Sequence, residues 1–344
     1  MNIAVTGVAG YLGRRLLALM DADPDVDRVI GVDVVAPRSG SPKLDFHQMD
    51  VRDARLAKVL AGADVLAHLA FALNPMHDEE RMRSINVGGT ANALEAADAA
   101  GVSKVVYPSS ATVYGAHPDN DFPLTEESAL RANPDFSYAA HKLETERLIA
   151  AFVESHPETV VTVLRPAIVF GSHVENFISR MMETPRLLTI QGYEPPLQLV
   201  HEDDVATALE LAIRKDLVGA YNVAADGWLT AEEVVEIAGK HRLEVPETVG
   251  FAVADLLWRA RLSFAPPGML HYVMHPWVVD NAKLKAEGWK PSRGAGETLQ
   301  ETVAAHRGWV AIASARVRKD TLFRAAAVLG AASASAVVVR RKRR

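Results

Sequence analysis

The chain reads as an α/β protein built on a doubly wound parallel sheet, with a smaller mixed α/β substrate lobe. Three observations predict this. Through the first 170 residues, apolar runs of strand length alternate with stretches of helix length, the pattern of repeated βαβ units. The first run, Ile3-Ala4-Val5, passes through Thr6-Gly7-Val8-Ala9-Gly10-Tyr11-Leu12-Gly13 straight into the helical Arg14-Arg15-Leu16-Leu17. The second, Arg28-Val29-Ile30-Gly31-Val32-Asp33, ends in a carboxylate 20 residues beyond Gly13.

Length and composition set the outer limits. With 344 residues the chain can form one large domain, or a domain carrying a smaller lobe. Hydrophobic residues make up 49% and charged residues 23%, and the net charge is −6, so the body has no bulk attraction for nucleic acid. The absence of cysteine excludes disulfides and thiolate metal sites, and no metal is expected. The chain enters a strand at once, with no basic segment followed by an apolar one, so no secretory signal is expected and the reading is cytoplasmic.

Taken in order, the glycine turn comes first. A strand, a glycine-rich turn and a helix leave backbone N–H groups at a helix N-terminus, where a pyrophosphate can bind, although three glycines spaced G-x-x-G-x-x-G also suit a plain tight turn. Asp33 can accept hydrogen bonds from both hydroxyls of an adenosine ribose, which argues for NAD, or it can cap the turn at the strand end. Asp45–Asp50 reads as the third strand, and a helix from Asp50 to Leu60 is expected with Asp53 as its N-cap. Asp64–Ala70 is the fourth strand. His68 near its end either polarises a ligand or is packed and hydrogen-bonded.

A helix is predicted from about Arg81 to Ala100, burying Ile85, Leu94 and Ala97. Gly88 and Gly89 inside it each cost about 1 kcal/mol relative to Ala, which close backbone packing would explain. Lys104–Pro108 is the fifth strand and runs into the hydroxyl cluster Ser109-Ser110-Ala111-Thr112. Ser137-Tyr138-Ala139-Ala140-His141-Lys142 opens a helix reaching about Glu154, with Tyr138 and Lys142 one turn apart on one face. A phenol with a pKa near 10 is a poor base at neutral pH, and a neighbouring ammonium favours its phenolate. Val160–Leu164 is the sixth strand. Leu197–Val200 and Ala220–Ala224 are further strands, Asp203–Ile213 is a helix, and Thr230 starts another.

In order along the chain, the motifs are Gly7, Gly10 and Gly13; Asp33; Asp50-Val51; His68-Leu69-Ala70; Asn86-Val87-Gly88-Gly89-Thr90; Ser109-Ser110-Ala111-Thr112-Val113-Tyr114-Gly115; Tyr138 with Lys142; and Arg165-Pro166-Ala167-Ile168-Val169-Phe170-Gly171. Val200-His201-Glu202-Asp203-Asp204-Val205-Ala206, Ala220-Tyr221-Asn222-Val223-Ala224 and Gly288-Trp289-Lys290-Pro291 follow. Over roughly residues 1–310 this series resembles the extended short-chain dehydrogenase/reductases, the NAD-dependent epimerase/dehydratase family, and within it the UDP-glucose 4-epimerase-like enzymes. The resemblance implies a Rossmann fold with NAD bound by Gly7, Gly10, Tyr11, Leu12, Gly13, Asp33, Asp50, Val51, Leu69, Ala70, Asn86, Ser109, Tyr138, Lys142 and Pro166. It implies Tyr138 as the catalytic acid/base, Lys142 binding the nicotinamide ribose and lowering the Tyr138 pKa, and Ser110 bonding the reacting oxygen. Ser110, Thr112 and Asn176 would contact the substrate, while Asn86 would also hold the active-site helices. A homodimer through the helices carrying Asn86 and Tyr138 is implied too. Ala111-Thr112 stands where a sugar 4,6-dehydratase would carry an acid beside the serine, which disfavours dehydration.

The resulting organisation is an NAD-binding domain over 1–170, rejoined by 197–225, a substrate lobe from 171–196 and 226–314, and a C-terminal tail over 315–344. The expected activity is epimerisation of a nucleotide sugar by transient hydride transfer. However, Pro195-Pro196-Leu197-Gln198-Leu199 replaces the arginine that UDP-sugar members commonly carry ahead of the Val-His segment, although Arg180, Arg186, Arg259 or Arg261 could substitute. The alternative is a 3β-hydroxysteroid or other lipid alcohol dehydrogenase. A non-enzymatic NAD sensor is the third reading, opposed by the intact Ser110, Tyr138 and Lys142. The apolar stretch 251–278 either lines a substrate pocket or forms an ordinary lid core, and Asn176 either binds substrate or shapes a turn. In the tail, Ala325–Val339 is an uncharged run of 15 residues, shorter than the ~20 needed to span a bilayer, before Arg340-Arg341-Lys342-Arg343-Arg344. It reads as a peripheral contact with an anionic membrane surface or as a self-associating appendage.

Overall fold

In the computed structural model the chain is described over residues 1–38, 40–312 and 315–321. The first half alternates strand and helix: β1 (Asn2–Thr6), α1 (Tyr11–Ala22), β2 (Arg28–Asp33), β3 (Leu44–Gln48), α2 (Leu56–Leu60), β4 (Val65–His68), α3 (Glu79–Arg83), α4 (Gly89–Ala99), β5 (Lys104–Pro108), α5 (Ser137–Ser155) and β6 (Val160–Pro166). There follow β7 (Ile168–Phe170), β8 (Arg186–Ile190), β9 (Leu199–His201), α6 (Glu202–Arg214) and β10 (Gly219–Val223). The remainder comprises α7 (Ala231–Ala238), β11 (His241–Val245), α8 (Glu247–Arg259), α9 (Ala282–Ala286), α10 (Ala295–His306), β12 (Trp309–Ile312) and β13 (Ala315–Arg318).

Seven strands form one parallel sheet in the order β10-β6-β5-β4-β1-β2-β3. Its inner strands are near-continuous apolar runs because both faces are covered. On one face α1 and α6 meet over Leu16, Leu17, Val205, Leu209 and Ile213; on the other, Leu56, Leu60, Leu94, Ala97 and Ile149 pack against Ile30, Leu66 and Val105. Each such aliphatic side chain contributes about 1.5–3 kcal/mol when fully buried. Strand order reverses between β1 and β4, so a crevice opens beyond their C-terminal ends, where Thr6 pairs in register with His68.

Several expectations change in detail. The third strand is Leu44–Gln48, not Asp45–Asp50. Asp53 is not an N-cap: its carboxylate accepts the Arg55 N–H at 2.9 Å, a local turn that delays the helix until Leu56. The single helix expected over 81–100 is interrupted by a π turn at Ser84–Gly88, next to the buried Asn86. Close packing accounts for Gly89, where a Cβ would stand 2.6 Å from Val51 Cγ1, but not for Gly88, which faces open space.

The strand expected at Leu197–Val200 forms at Leu199–His201 and pairs with β7 outside the central sheet. Within 226–314, the segment around α9 returns to the sheet, with Leu284 and Trp289 in the core beneath α1 and α6. Residue 315, the start of the expected tail, begins a strand paired with β12. The apolar and basic segment 322–344, and the membrane contact read from it, lie outside the described residues. Among the described residues no helix is long and apolar enough to cross a membrane.

Candidate active site

The crevice is a cleft of about 540 Å³ lined by the glycine turn, the ends of β2, β4, β5 and β6, and the start of α5. Gly7 adopts φ +73°, open to glycine at little cost, and its N–H donates to Val32 O at 2.8 Å. A Cβ at Gly7 would stand 2.7 Å from the Ala70 nitrogen, and one at Gly13 only 2.4 Å from the Gly7 carbonyl oxygen. The turn is therefore pressed against the strand beside it. Helix α1 starts at Tyr11 with no side-chain cap, leaving its first-turn N–H groups toward the cleft that Tyr11, Leu12 and Gly13 line.

Asp33 also lines the cleft, and its carboxylate accepts the N–H of Ala9 at 3.0 Å and of Val35 at 3.3 Å. The turn-capping reading is therefore present, and a carboxylate with about four lone-pair sites keeps capacity toward the cleft as well. Asp50 and Val51 lie farther along the same wall, and a hydrogen bond from Arg52 holds the Asp50 carboxyl below its usual range. His68 is packed. Its ring meets Thr6 Oγ1 at 2.7 Å and Thr90 Oγ1 at 3.1 Å, and burial, with Lys142 nearby, pushes its pKa down to about 3. Leu69, Ala70, Ser109 and Pro166 all line the cleft. Asn86 does not; its side-chain amide clamps the Ala72 peptide, with bonds of 2.6 and 3.2 Å, and Ala72 does line it.

At the inner end, Ser110, Thr112, Tyr138 and Lys142 come together from β5 and α5. Burial pushes the Tyr138 phenol up to about 12, opposed by a hydrogen bond with Ser110. Ser110 Oγ also accepts the Thr112 N–H at 3.2 Å. The Lys142 ammonium donates to Pro108 O at 2.7 Å and Tyr107 OH at 3.1 Å and lies 3.8 Å from the Phe71 ring centre. Burial lowers its pKa to about 7, while Glu146 opposes the shift. The relief of the Tyr138 pKa comes from Ser110, and the lysine is engaged with the end of β5.

Asn176 lines the cleft, but its Oδ1 accepts the N–H groups of Ile178 and Ser179, both at 2.9 Å, so the turn reading is present. Phe71, Phe177 and Trp277 also line this end and were absent from the expected site residues. Phe71 directly follows the Leu69-Ala70 strand end, a position that could have drawn attention to it. Phe177 arrives from a distant loop, and local pattern carries no signal for it; Trp277 belongs to the apolar stretch 251–278, read as pocket lining or lid core, and it lines the cleft while packing on the core.

The residues fit a dinucleotide. The cradle excludes any Cβ at Gly7 and Gly13, the helix N-terminus is uncapped, a carboxylate stands 20 residues on, and the buried Ser109 and Thr112 hydroxyls have no protein partner. The sequence model of the NAD dependent epimerase/dehydratase family matches residues 3–224. The chain belongs to that family. It is accordingly an enzyme, and NAD is its cofactor. An uncharacterised protein of Mycobacterium tuberculosis (strain ATCC 25618 / H37Rv) is 31% identical over 310 residues, covering 84% of this chain and 80% of that protein. A dTDP-glucose 4,6-dehydratase of Streptomyces griseus is 27% identical over 343 residues, covering 90% and 95%. Among solved structures, UDP-glucuronic acid 4-epimerase from Bacillus cereus in complex with NAD shares the fold, with TM-score 0.69, 18% identity and coverage of 89% of this chain and 99% of that one. DesIV, a dTDP-glucose 4,6-dehydratase from Streptomyces venezuelae with NAD bound, gives TM-score 0.69, 24% identity and coverage of 89% and 97%.

Proposed function

We propose that this family member reversibly oxidises a secondary alcohol, with Tyr138 as the proton-transfer group, Ser110 holding the reacting oxygen and Lys142 engaging the cofactor ribose. The observation that carries the reading is the convergence of Ser110, Tyr138 and Lys142 in the wall of the same cleft that the uncapped glycine turn lines. Bound NAD supplies the hydride acceptor. Gly7, Gly10 and Gly13, with Tyr11 and Leu12, would hold its pyrophosphate, and Asp33 its adenosine ribose. Asp50, Val51, Leu69, Ala70, Ser109 and Pro166 would line its remaining length.

Tyr138 takes the hydroxyl proton as the carbon is oxidised and returns it on reduction, which needs an approach of about 3 Å. Its raised pKa keeps it protonated at neutral pH, so base strength has to come from cationic neighbours, and Lys142 is the group within reach on the same helix face. Ser110 fixes the oxygen beside the phenol, and the aromatic wall of Phe71, Phe136 and Phe177 keeps water from it.

For the substrate, the names of relatives support a nucleotide sugar and an epimerase-type cycle, in which the ketone stays bound and is reduced on its other face. A second reading, an apolar alcohol, is favoured by Leu197 in the pocket wall where UDP-sugar members commonly have an arginine. Purified protein is incubated with UDP-galactose and, separately, with a 3β-hydroxysteroid plus NAD. Conversion to UDP-glucose without net NADH supports the sugar reading, and stoichiometric NADH supports the alcohol reading. Undiminished turnover in Tyr138→Phe would sink the shared chemistry.

A further inference from the structure

We propose that the substrate is an uncharged alcohol with a rigid apolar body, and that this body fills an annex behind Thr112 and Trp277. The proposal rests on the hydride-transfer reading of Ser110 and Tyr138 and names the substrate class of that same site. The annex, a cavity of about 160 Å³, shares Thr112, Ile168, Phe177, Ile178 and Trp277 with the main cleft, so the two adjoin across these side chains. Beyond that seam Met181, Leu187, Leu188, Val235, Met269 and Val273 form its walls.

Charge decides what can enter. The ionisable side chains of consequence in the annex wall are Glu194 and Arg242, and they neutralise each other: the guanidinium donates to Glu194 at 2.6 Å and to Glu232 at 3.0 Å. The cations of the main cleft, Arg52, Arg81 and Lys142, do not line the annex. A diphosphate lodged there would lose its water without gaining a cation that is not already paired, whereas an apolar ring system would lose nothing by leaving water.

Two residues of the annex wall carry buried hydroxyls. Thr112 Oγ1, at the seam, and Thr189 Oγ1, in the annex wall, are both without a hydrogen-bond partner. Such groups are costly to bury unless a ligand satisfies them.

Binding, not turnover, tests this. Full-length protein with NAD is titrated with a 3β-hydroxysteroid and with UDP-glucose while tryptophan fluorescence is followed, Trp277→Phe identifying the contribution from the seam. The steroid should quench saturably, and Leu187→Glu should weaken its binding at least about tenfold while NAD binding is retained. Val235→Phe, which narrows the annex without adding charge, should weaken it as well and guards against a folding defect in the first variant. Tyr138→Phe should bind the steroid as the parent does and fail only in turnover, so a failed chemistry leaves the annex result standing. Saturable binding of UDP-glucose that Leu187→Glu and Val235→Phe leave unchanged, with no steroid binding, would overturn the proposal.

Discussion

The two ends of the cleft are built by different means. At the cofactor end the recognising groups are backbone N–H groups and one carboxylate, supplied by the first 33 residues and fixed by chain geometry: a glycine at φ +73°, an uncapped helix, a parallel strand pair. At the substrate end they are side chains such as Ile168, Phe177, Leu187, Met269 and Trp277, gathered from the separate segments 168–187 and 269–277. A diphosphate site can be built from main chain because every residue other than proline carries an N–H. An apolar pocket needs volume, and volume comes from side chains that meet only in the folded protein. The cofactor end should therefore tolerate substitutions that keep its backbone path, and the substrate end should change its preference with almost any change of shape or charge.

The sharpest separation of the ends comes from Tyr138→Phe. Turnover should fall by about 10²–10⁴, the usual worth of a positioned proton-transfer group, while NAD affinity measured by titration stays close to the parent value. Comparable losses in both would break the distinction.

Outside the cleft lining lies the buried Arg165–Glu146 pair, bonded at 2.6 Å, with Arg165 also donating to Tyr114 OH at 2.8 Å and Tyr114 in turn to Asn222. Removing one partner strands the other, so Arg165→Leu should destabilise the fold by about 3–5 kcal/mol in denaturant unfolding. Replacing both, Arg165→Leu with Glu146→Leu, should recover much of that loss.

The pH dependence of stability localises the lysine. Burial lowers the Lys142 pKa to about 7, against about 10.4 in the unfolded chain, so between these values the unfolded state binds a proton that the folded state does not. This contribution rises with pH across that window, is complete above about 10 and is lost as the pH falls toward 7. Tyr138 acts in the opposite sense: with its phenol raised to about 12, its contribution is present below pH 10 and lost as the pH climbs toward 12. Thermal unfolding of Lys142→Met should show a flattened rise between pH 7 and 10, and an unchanged rise would contradict the burial argument.

The smallest effect contrasts neighbouring glycines at the junction of the π turn and α4. Gly88→Ala meets nothing and should stabilise by about 0.5–1 kcal/mol. Gly89→Ala drives a Cβ into Val51 Cγ1 and should destabilise by about 1–3 kcal/mol, with a loss of NAD affinity because Val51 lines the cleft. Chemical denaturation of the two variants side by side measures the difference in sign.

By itself the sequence determined the parallel α/β architecture, the glycine turn at Gly7, Gly10 and Gly13, the strand-end position of Asp33 and the shared helix face of Tyr138 and Lys142. Each is a local property, written in hydrophobic period, glycine spacing or an i to i+4 offset, and each survives whatever packs against it. Only the tertiary structure decided that Lys142 reaches back to Pro108 and Tyr107, that Asn86 clamps Ala72 instead of lining the cleft, that His68 is a packed residue between two threonines, and that Phe71, Phe177 and Trp277 close the substrate end. These are contacts between groups far apart along the chain. Hydrophobic periodicity says that such a side chain is buried, and packing alone says against what.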